Sequence, residues 1–233
     1  RQGFTLLELS IVLVIIGLII GGVTVGSEMI HSSTLQRITT EVQEFQAAVN
    51  TFRVKYDRWP GDFALATQYW PSATGSGNGN GRIEEGGGNP EYARFWEHLA
   101  LAGLIKGNYA YNASLDFGTV LPMSAYEGGG YTVDLTSGAP VYTKWGTAIV
   151  LGSNSGLGDG FGPLMPAEDA ENIDRKMDDG LPSGGLVYAE RGWINGSTQD
   201  TGCVDGPESA TSVNFLLSNT QASCIMHFWF KGR

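Results

Sequence analysis

Three aspartates late in the chain are the residues whose type and spacing best suit metal chemistry. Asp174, Asp178 and Asp179 stand at positions i, i+4 and i+5 of a segment with helical character. Residues four apart share a helix face, so Asp174 and Asp178 would repel each other unless a cation or a base lay between them. Calcium prefers oxygen ligands of this kind, which makes the three carboxylates a candidate calcium site. The alternative interpretation is that Arg175, Lys176 and backbone amides satisfy the acids at a helix end.

A second polar stretch, residues 78–84, partly resembles a calcium-binding loop. Its sequence, Asn-Gly-Asn-Gly-Arg-Ile-Glu, alternates amide side chains with glycines. A calcium loop of the EF-hand type begins with an aspartate and closes with a glutamate at a fixed distance. This stretch lacks the leading aspartate and its glutamate stands at the wrong distance, so the sequence favours a polar turn over a calcium loop.

The two cysteines, Cys203 and Cys224, could form a disulfide. They are the only cysteines of the chain, and such a pair usually oxidises outside the cytoplasm. Closing a loop of about 22 residues would stabilise the fold by about 3 kcal/mol in the chain-entropy model. The alternative is a pair of reduced cysteines in the core.

The remaining chemistry-bearing residues give little support for an enzyme. The histidines are His31, His98 and His227, and no HExxH, GxSxG or GxxxxGK[ST] motif accompanies them. Acid pairs for glycoside hydrolysis could be drawn in many ways among the acidic residues, so no pair is informative. Six tryptophans could form a sugar-binding platform, but core and turn packing is the better explanation. We therefore expect no catalytic site.

The charge of the chain is unevenly distributed. The formal net charge is −10, yet four basic and four acidic residues balance each other up to Tyr56. The whole excess of negative charge therefore belongs to the part after Tyr56. Contacts with nucleic-acid phosphates need clustered Lys and Arg, so we expect no nucleic-acid partner.

The N-terminal segment must be positioned by a membrane or by other helices. Between Phe4 and Val25 the only ionisable side chain is Glu8. The apolar stretch of about 20 residues can cross a hydrocarbon core of ~30 Å, and it is longer than the apolar region of an ordinary secretory signal. A carboxylate near its start costs several kcal/mol in lipid unless a partner neutralises its charge. The alternative is a plain single-pass anchor that happens to contain an acid.

Residues 3–8, Gly-Phe-Thr-Leu-Leu-Glu, followed by this apolar run, resemble the class III signal of type IV pilins and type II secretion pseudopilins. The resemblance implies that a prepilin peptidase cuts between Gly3 and Phe4 and methylates the new amino group of Phe4. It also implies that Glu8 pairs with the Phe4 amine of a neighbouring subunit during fibre assembly. Because the chain begins at Arg1 without Met, we expect residues 1–3 to be the remnant of a clipped leader.

The helix is predicted to continue far beyond the membrane. Seven apolar residues repeat at spacings of three and four on one face, and no proline interrupts residues 4–58. One helix of about 53 residues would be about 80 Å long. The stripe must be buried, either against a sheet of the same chain or in a coiled coil between chains. The stripe consists of Leu35, Ile38, Val42, Phe45, Val49, Phe52 and Tyr56.

The part after the long helix is predicted to be loop-rich. Pro60 and Gly61 are a turn signal, and much of the chain beyond them is glycine-rich. We predict helices over 91–105 and 167–177. Strand candidates are 131–135, 141–151 with a turn near 144–146, 185–190, 213–217 and 224–230.

Together these patterns predict an α+β, pilin-like fold, in which a long N-terminal helix packs on an antiparallel sheet in a loop-rich globular head. The predicted parts are a residual leader (1–3), a transmembrane or fibre-core helix (4–27), its amphipathic continuation (28–56) and an extracytoplasmic head (57–233).

The predicted function is that of a structural subunit of a type IV pilus or type II secretion fibre. Its partners would be other pilin or pseudopilin subunits, the prepilin peptidase, the inner-membrane assembly platform and membrane lipid. The chain would cross the inner membrane once with its head in the periplasm, and would then enter a fibre. The alternatives are a minor pilin with an adhesin or ligand-binding head and a membrane-anchored hydrolase. Calcium is the one cofactor that the sequence suggests.

Overall fold

The structure is a computed structural model of the 233-residue chain. It describes residues 5–84, 90–112, 114–134, 146–155, 160–194, 198–199, 201–207 and 212–230.

The first element, α1, is a single helix over Leu6–Tyr56, 51 residues long. It begins at Thr5, whose side chain and that of Glu8 form a reciprocal capping box. It ends at Asp57, which adopts the left-handed conformation and donates its N–H to the carbonyl of Arg53. The predicted long helix is therefore confirmed.

Four antiparallel strands form the main sheet of the head. They are β1 (Gly129–Asp134), β2 (Ala148–Ser153), β3 (Val187–Arg191) and β6 (Cys224–Trp229), in the order β1-β2-β6-β3. Because β6 is central and buried on both faces, its sequence is apolar rather than alternating. Two short strands, β4 (Trp193–Ile194) and β5 (Thr198–Gln199), pair separately.

Three further helices belong to the head. They are α2 (Ala66–Tyr69), α3 (Glu91–Leu101) and α4 (Ala167–Met177). The third helix contacts both α1 and β1, whereas α4 contacts α1, β3 and β6. The helices α3 and α4 therefore join α1 to the sheet, and the α+β architecture predicted from the sequence is confirmed.

The apolar stripe of α1 is buried within the same chain. Val42, Val49 and Phe52 are fully buried, and Phe45 lies edge-on to Trp96 of α3 and Tyr131 of β1. The stripe thus meets the sheet partly through Tyr131 and partly through the intervening helices. Its burial inside one chain favours the intramolecular alternative over a coiled coil between chains.

The structure differs from the prediction in several boundaries. The helix predicted over 91–105 ends at Leu101, because Gly103 takes a positive φ and Leu104 donates its N–H to the carbonyl of Leu99, as in a Schellman motif. Residues 213–217 form no strand and contribute a single bridge, Val204 to Phe215. The first part of the predicted strand 141–151, residues 141–145, lies outside the described residues.

Candidate functional site

The N-terminal half of α1 is the part of the molecule that its own chain leaves uncovered. An 18-residue window of α1 has a mean hydropathy of 2.7 and none of it is buried. Leu13, Leu18 and Val23, for example, expose 69%, 72% and 65% of their surface. By length and composition this half is able to cross a membrane or to enter a bundle of similar helices. The cleavage-site residues Gly3 and Phe4 lie outside the described residues.

Glu8 is engaged by the first residue of its own helix cap. Its Oε2 accepts hydrogen bonds from the backbone N–H and from the hydroxyl of Thr5, both at 2.8 Å. The Glu8 N–H in turn donates to the Thr5 hydroxyl at 3.3 Å. This capping box gives the acid a local structural role that the sequence prediction did not include. Its second carboxylate oxygen makes no hydrogen bond with the described residues.

A hydrogen-bonded triad anchors α1 to the head just beyond the uncovered half. His31 donates from Nε2 to Asp169 Oδ1 at 2.7 Å, and the hydroxyl of Tyr126 donates to Asp169 Oδ2 at 2.7 Å. Asp169 is buried at the start of α4, whereas His31 is half-exposed. Burial, together with the carboxylate of Asp169, raises the pKa of Tyr126. Sequence reasoning missed this triad because its members lie far apart in the chain.

The three predicted calcium ligands do come together. One oxygen from each of Asp174, Asp178 and Asp179 lies within 4.8 Å of the others. Asp174 is fully buried near the end of α4, and Asp178 and Asp179 are exposed. Asp174 Oδ1 accepts a weak hydrogen bond from the Gly180 N–H at 3.3 Å, while Oδ2 is buried and has no hydrogen-bond partner among the described residues.

Backbone amides occupy part of this acidic cluster. Asp178 Oδ2 accepts from the N–H groups of Leu186 and Val187, the second at 3.0 Å. Asp179 Oδ1 accepts from the Leu181 N–H at 2.9 Å. The two exposed aspartates therefore shape the turn after α4, which agrees with the backbone part of the alternative interpretation.

No basic side chain among the described residues pairs with these aspartates. Arg175 instead forms an ion pair with Glu171, at 2.5 Å. Burial raises the pKa of Asp174 to about 7, and the neighbouring charges of Asp179, Asp178 and Glu171 contribute. The cluster is thus a concentration of negative charge with one buried, unpartnered oxygen.

The two cysteines are bonded. Cys203 and Cys224 form a disulfide with their Cα atoms 4.9 Å apart. The bond joins the loop around Cys203 to the first residue of the central strand β6. The disulfide predicted from the sequence is therefore present in the structure.

The other two histidines are buried in the core. His98 accepts the Gly61 N–H at Nδ1 and is fully buried. His227, 1% exposed, contacts the carboxylate of Glu190 through Nε2 at 2.6 Å. A substrate would not reach either ring in this arrangement. Of the described tryptophans, Trp59, Trp70, Trp96 and Trp229 belong to the core or pack against it, whereas Trp193 lies on the short strand β4.

Comparison with known proteins adds one finding. No curated protein and no solved structure matches the chain significantly. A family model, the prokaryotic N-terminal methylation motif, matches residues 1–24. These residues contain the sequence Gly3-Phe4 and the capping box of Glu8, and they run into the uncovered half of α1. The chain therefore carries at its N-terminus the methylation motif that is the signal of type IV pilins and pseudopilins.

Proposed function

We propose that this protein is a membrane-anchored structural subunit of a type IV pilus or a type II secretion fibre. The observation that carries the proposal is the methylation motif over residues 1–24, placed directly on a helix whose apolar half is uncovered. In lipid this half would be a transmembrane anchor, and in a fibre it would pack against the same helix of other subunits. The head, held to the second half of α1, would face the periplasm and then the fibre surface.

Processing at the N-terminus would prepare the chain for assembly. A prepilin peptidase would cut between Gly3 and Phe4 and methylate the new amine of Phe4. The partners would be this peptidase, the inner-membrane assembly platform and other pilin or pseudopilin subunits. Each of these expectations is supported by the motif and by the position of the apolar helix directly after it.

In this proposal Glu8 has two separable roles. Its carboxylate caps its own helix through Thr5, and its charge would pair with the Phe4 amine of a neighbouring subunit. A negative charge in an apolar bundle is tolerated when a cation offsets it. A glutamine can also occupy the third position of a capping box, so Glu8→Gln keeps the cap and removes the charge.

The experiment compares Glu8→Gln with Thr5→Ala, which weakens the cap and leaves the charge. Both variants are expressed in cells that make the fibre, and incorporation is measured in sheared or purified fibres. We expect Glu8→Gln to insert into the membrane and fold but to be depleted from fibres, and Thr5→Ala to be incorporated. If Glu8→Gln enters fibres like the wild type, charge pairing at this residue is not required.

We also propose that Asp174, Asp178 and Asp179 hold a calcium ion in the head. The proposal is supported by their mutual distances and by the buried, unpartnered Oδ2 of Asp174. The full chain in detergent should melt at a higher temperature with calcium than with chelator. A ligand at 100 times its dissociation constant adds about 2.7 kcal/mol to stability. The matched control is Glu171→Gln. If calcium raises the melting temperature of Asp174→Asn as much as that of the wild type and of this control, the result would count against this site.

A further inference from the structure

Asp62 is a buried acid that no sequence pattern singles out. It follows the turn after α1 and is fully buried. Its Oδ2 accepts the N–H of Gly81 at 2.9 Å, and the amides of Gly79 and Asn80 also face this carboxylate. Its Oδ1 is buried and has no hydrogen-bond partner among the described residues. The carboxylate of Asp62 is therefore directed into the loop of residues 78–84, which we call the amide loop.

The amide loop has the arrangement of the first half of a calcium loop. Asn78 Oδ1 accepts the N–H of Asn80, and Asn80 Oδ1 accepts the N–H of Arg82, both at 2.9 Å. Gly81 takes a φ of +86°. Asn78, Asn80 and Gly81 stand at the spacing of positions 3, 5 and 6 in the EF-hand loop, where position 6 is an invariant glycine. The missing member is the carboxylate at position 1, and Asp62 brings a carboxylate to this loop from another part of the chain.

Two further acids complete the oxygen-rich surroundings. Glu91, 1% exposed at the start of α3, accepts the N–H groups of Asn78 at 2.8 Å and Glu84 at 3.2 Å. Glu84 Oε2 accepts from the side-chain amide of Asn78 at 3.0 Å. The carboxylates of Asp62, Glu84 and Glu91 thus border one short loop, although one oxygen from each of the three does not come within 4.8 Å of the others.

These three acids have no close basic partner among the ion pairs of the described residues. Arg58 pairs instead with Asp57, at 3.6 Å in the exposed turn after α1. Buried carboxylates without a close counter-charge are unfavourable, and a cation with oxygen ligands would offset their charge.

We propose that Asp62, Glu91 and the amide loop form a divalent-cation site of the calcium type, distinct from the Asp174 cluster. The oxygens available are Oδ1 of Asp62, the carboxylate of either Glu91 or Glu84, and the carbonyls of the loop. A cation here ties the turn that ends α1 to the start of α3. The site belongs to the head, so it does not depend on the proposed role of the chain in a fibre.

The experiment measures calcium binding to the full chain in detergent by isothermal titration calorimetry. It uses the Asp178→Asn background, so that heat from the other proposed site is removed. The test variant is Asp62→Asn, which keeps an acceptor for Gly81 and removes the charge. The matched control is Asp57→Asn, whose side chain is 88% exposed in the same turn. Glu91→Gln is a second test variant if Asp62→Asn does not fold.

We expect the parent to bind one calcium ion and the control to bind it equally well. Asp62→Asn should weaken this binding by about tenfold or more, because the number of charged ligands sets the affinity of such loops. Thermal unfolding distinguishes a calcium ligand from a carboxylate that only stabilises the loop by hydrogen bonds. Asp62→Asn should melt no lower than the parent in chelator and lower than the parent in calcium.

Three results would overturn the proposal. The first is no binding to the parent at millimolar calcium, and the second is unchanged affinity in both Asp62→Asn and Glu91→Gln. The third is an equal loss of melting temperature for Asp62→Asn in calcium and in chelator, since that loss would come only from the hydrogen bond to Gly81.

Discussion

The ring of His98 is held between two turns of the head in its neutral form. Nδ1 accepts the N–H of Gly61 at 2.9 Å, so the proton is on Nε2, which lies 3.2 Å from the carbonyl of Gly75. Burial, with a contribution from the nearby positive charge of Arg94, lowers the pKa of His98 to about 4, although the hydrogen bond to Gly75 opposes this shift. Protonation would add a donor where the ring must accept.

This environment predicts a pH dependence of stability. The folded-state pKa of about 4 lies below the ordinary 6.5, so the unfolded chain binds more protons between these values. The stabilisation is fully present above pH 6.5 and is lost as the pH falls toward 4, by at most about 3 kcal/mol. Denaturant unfolding at pH 7 and pH 5, followed by tryptophan fluorescence, measures it. All tryptophans follow α1, so the signal reports the head.

His98→Gln is the matched variant, because a glutamine amide can both accept and donate but does not titrate. The variant is expected to be less stable at pH 7 from imperfect packing, and to lose less stability than the wild type between pH 7 and pH 5. An equal loss in both proteins would mean that other groups cause the pH dependence.

The partners of single residues were predictable where they lie close in the sequence or where only one partner was possible. The spacing of Asp174, Asp178 and Asp179 brought them together as expected, and the two cysteines had only each other as partners. The triad of His31, Asp169 and Tyr126 was not predictable, since no periodicity links residues on three separate segments. Asp62 was missed for the same reason, because its partners in the amide loop belong to a separate segment of the chain.

Among the elements, the second half of α1 packs against the head and stabilises it. Phe52 is fully buried and its ring lies near those of Tyr56, Phe63 and Trp70. Phe52→Ala should therefore cost about 3–5 kcal/mol of unfolding free energy, from lost burial and the cavity left behind. The measurement is denaturant unfolding of the head, followed by tryptophan fluorescence.

The control for this prediction is Val54→Ala on an exposed face of the same helix. Val54 is 77% exposed, so its truncation should change stability by less than about 0.5 kcal/mol. A similar loss in both variants would mean that helix propensity, rather than packing on the head, sets the stability.

Elements with a strong repeat were predicted well, and elements defined by distant pairing were not. The stripe of α1 and the period of α4 extend over several turns, so α4 was placed at Ala167–Met177 as expected. The apolar run 213–217 looked like a strand, but its partner is a loop around Val204 that the disulfide holds in place. Pairing of that kind depends on the tertiary structure.

At the scale of the whole molecule, the two halves of one long helix suit two different environments. The first half of α1 is apolar all round and uncovered, and the second half is amphipathic and covered by the head. A helix of 51 residues is about 77 Å long, which is more than twice the thickness of a hydrocarbon core. The division places the methylation motif at one end of the molecule and the head at the other.

The measurement that tests this account most directly is mass spectrometry of the N-terminal peptide of the mature protein. The protein is purified from cells that contain a prepilin peptidase, and a Gly3→Leu variant is the control, because the cleavage site must admit a small residue. We expect a wild-type chain that begins at Phe4 with one methyl group on its amine, and a control that keeps residues 1–3. A wild-type chain that keeps residues 1–3 in these cells would contradict the assignment as a processed fibre subunit.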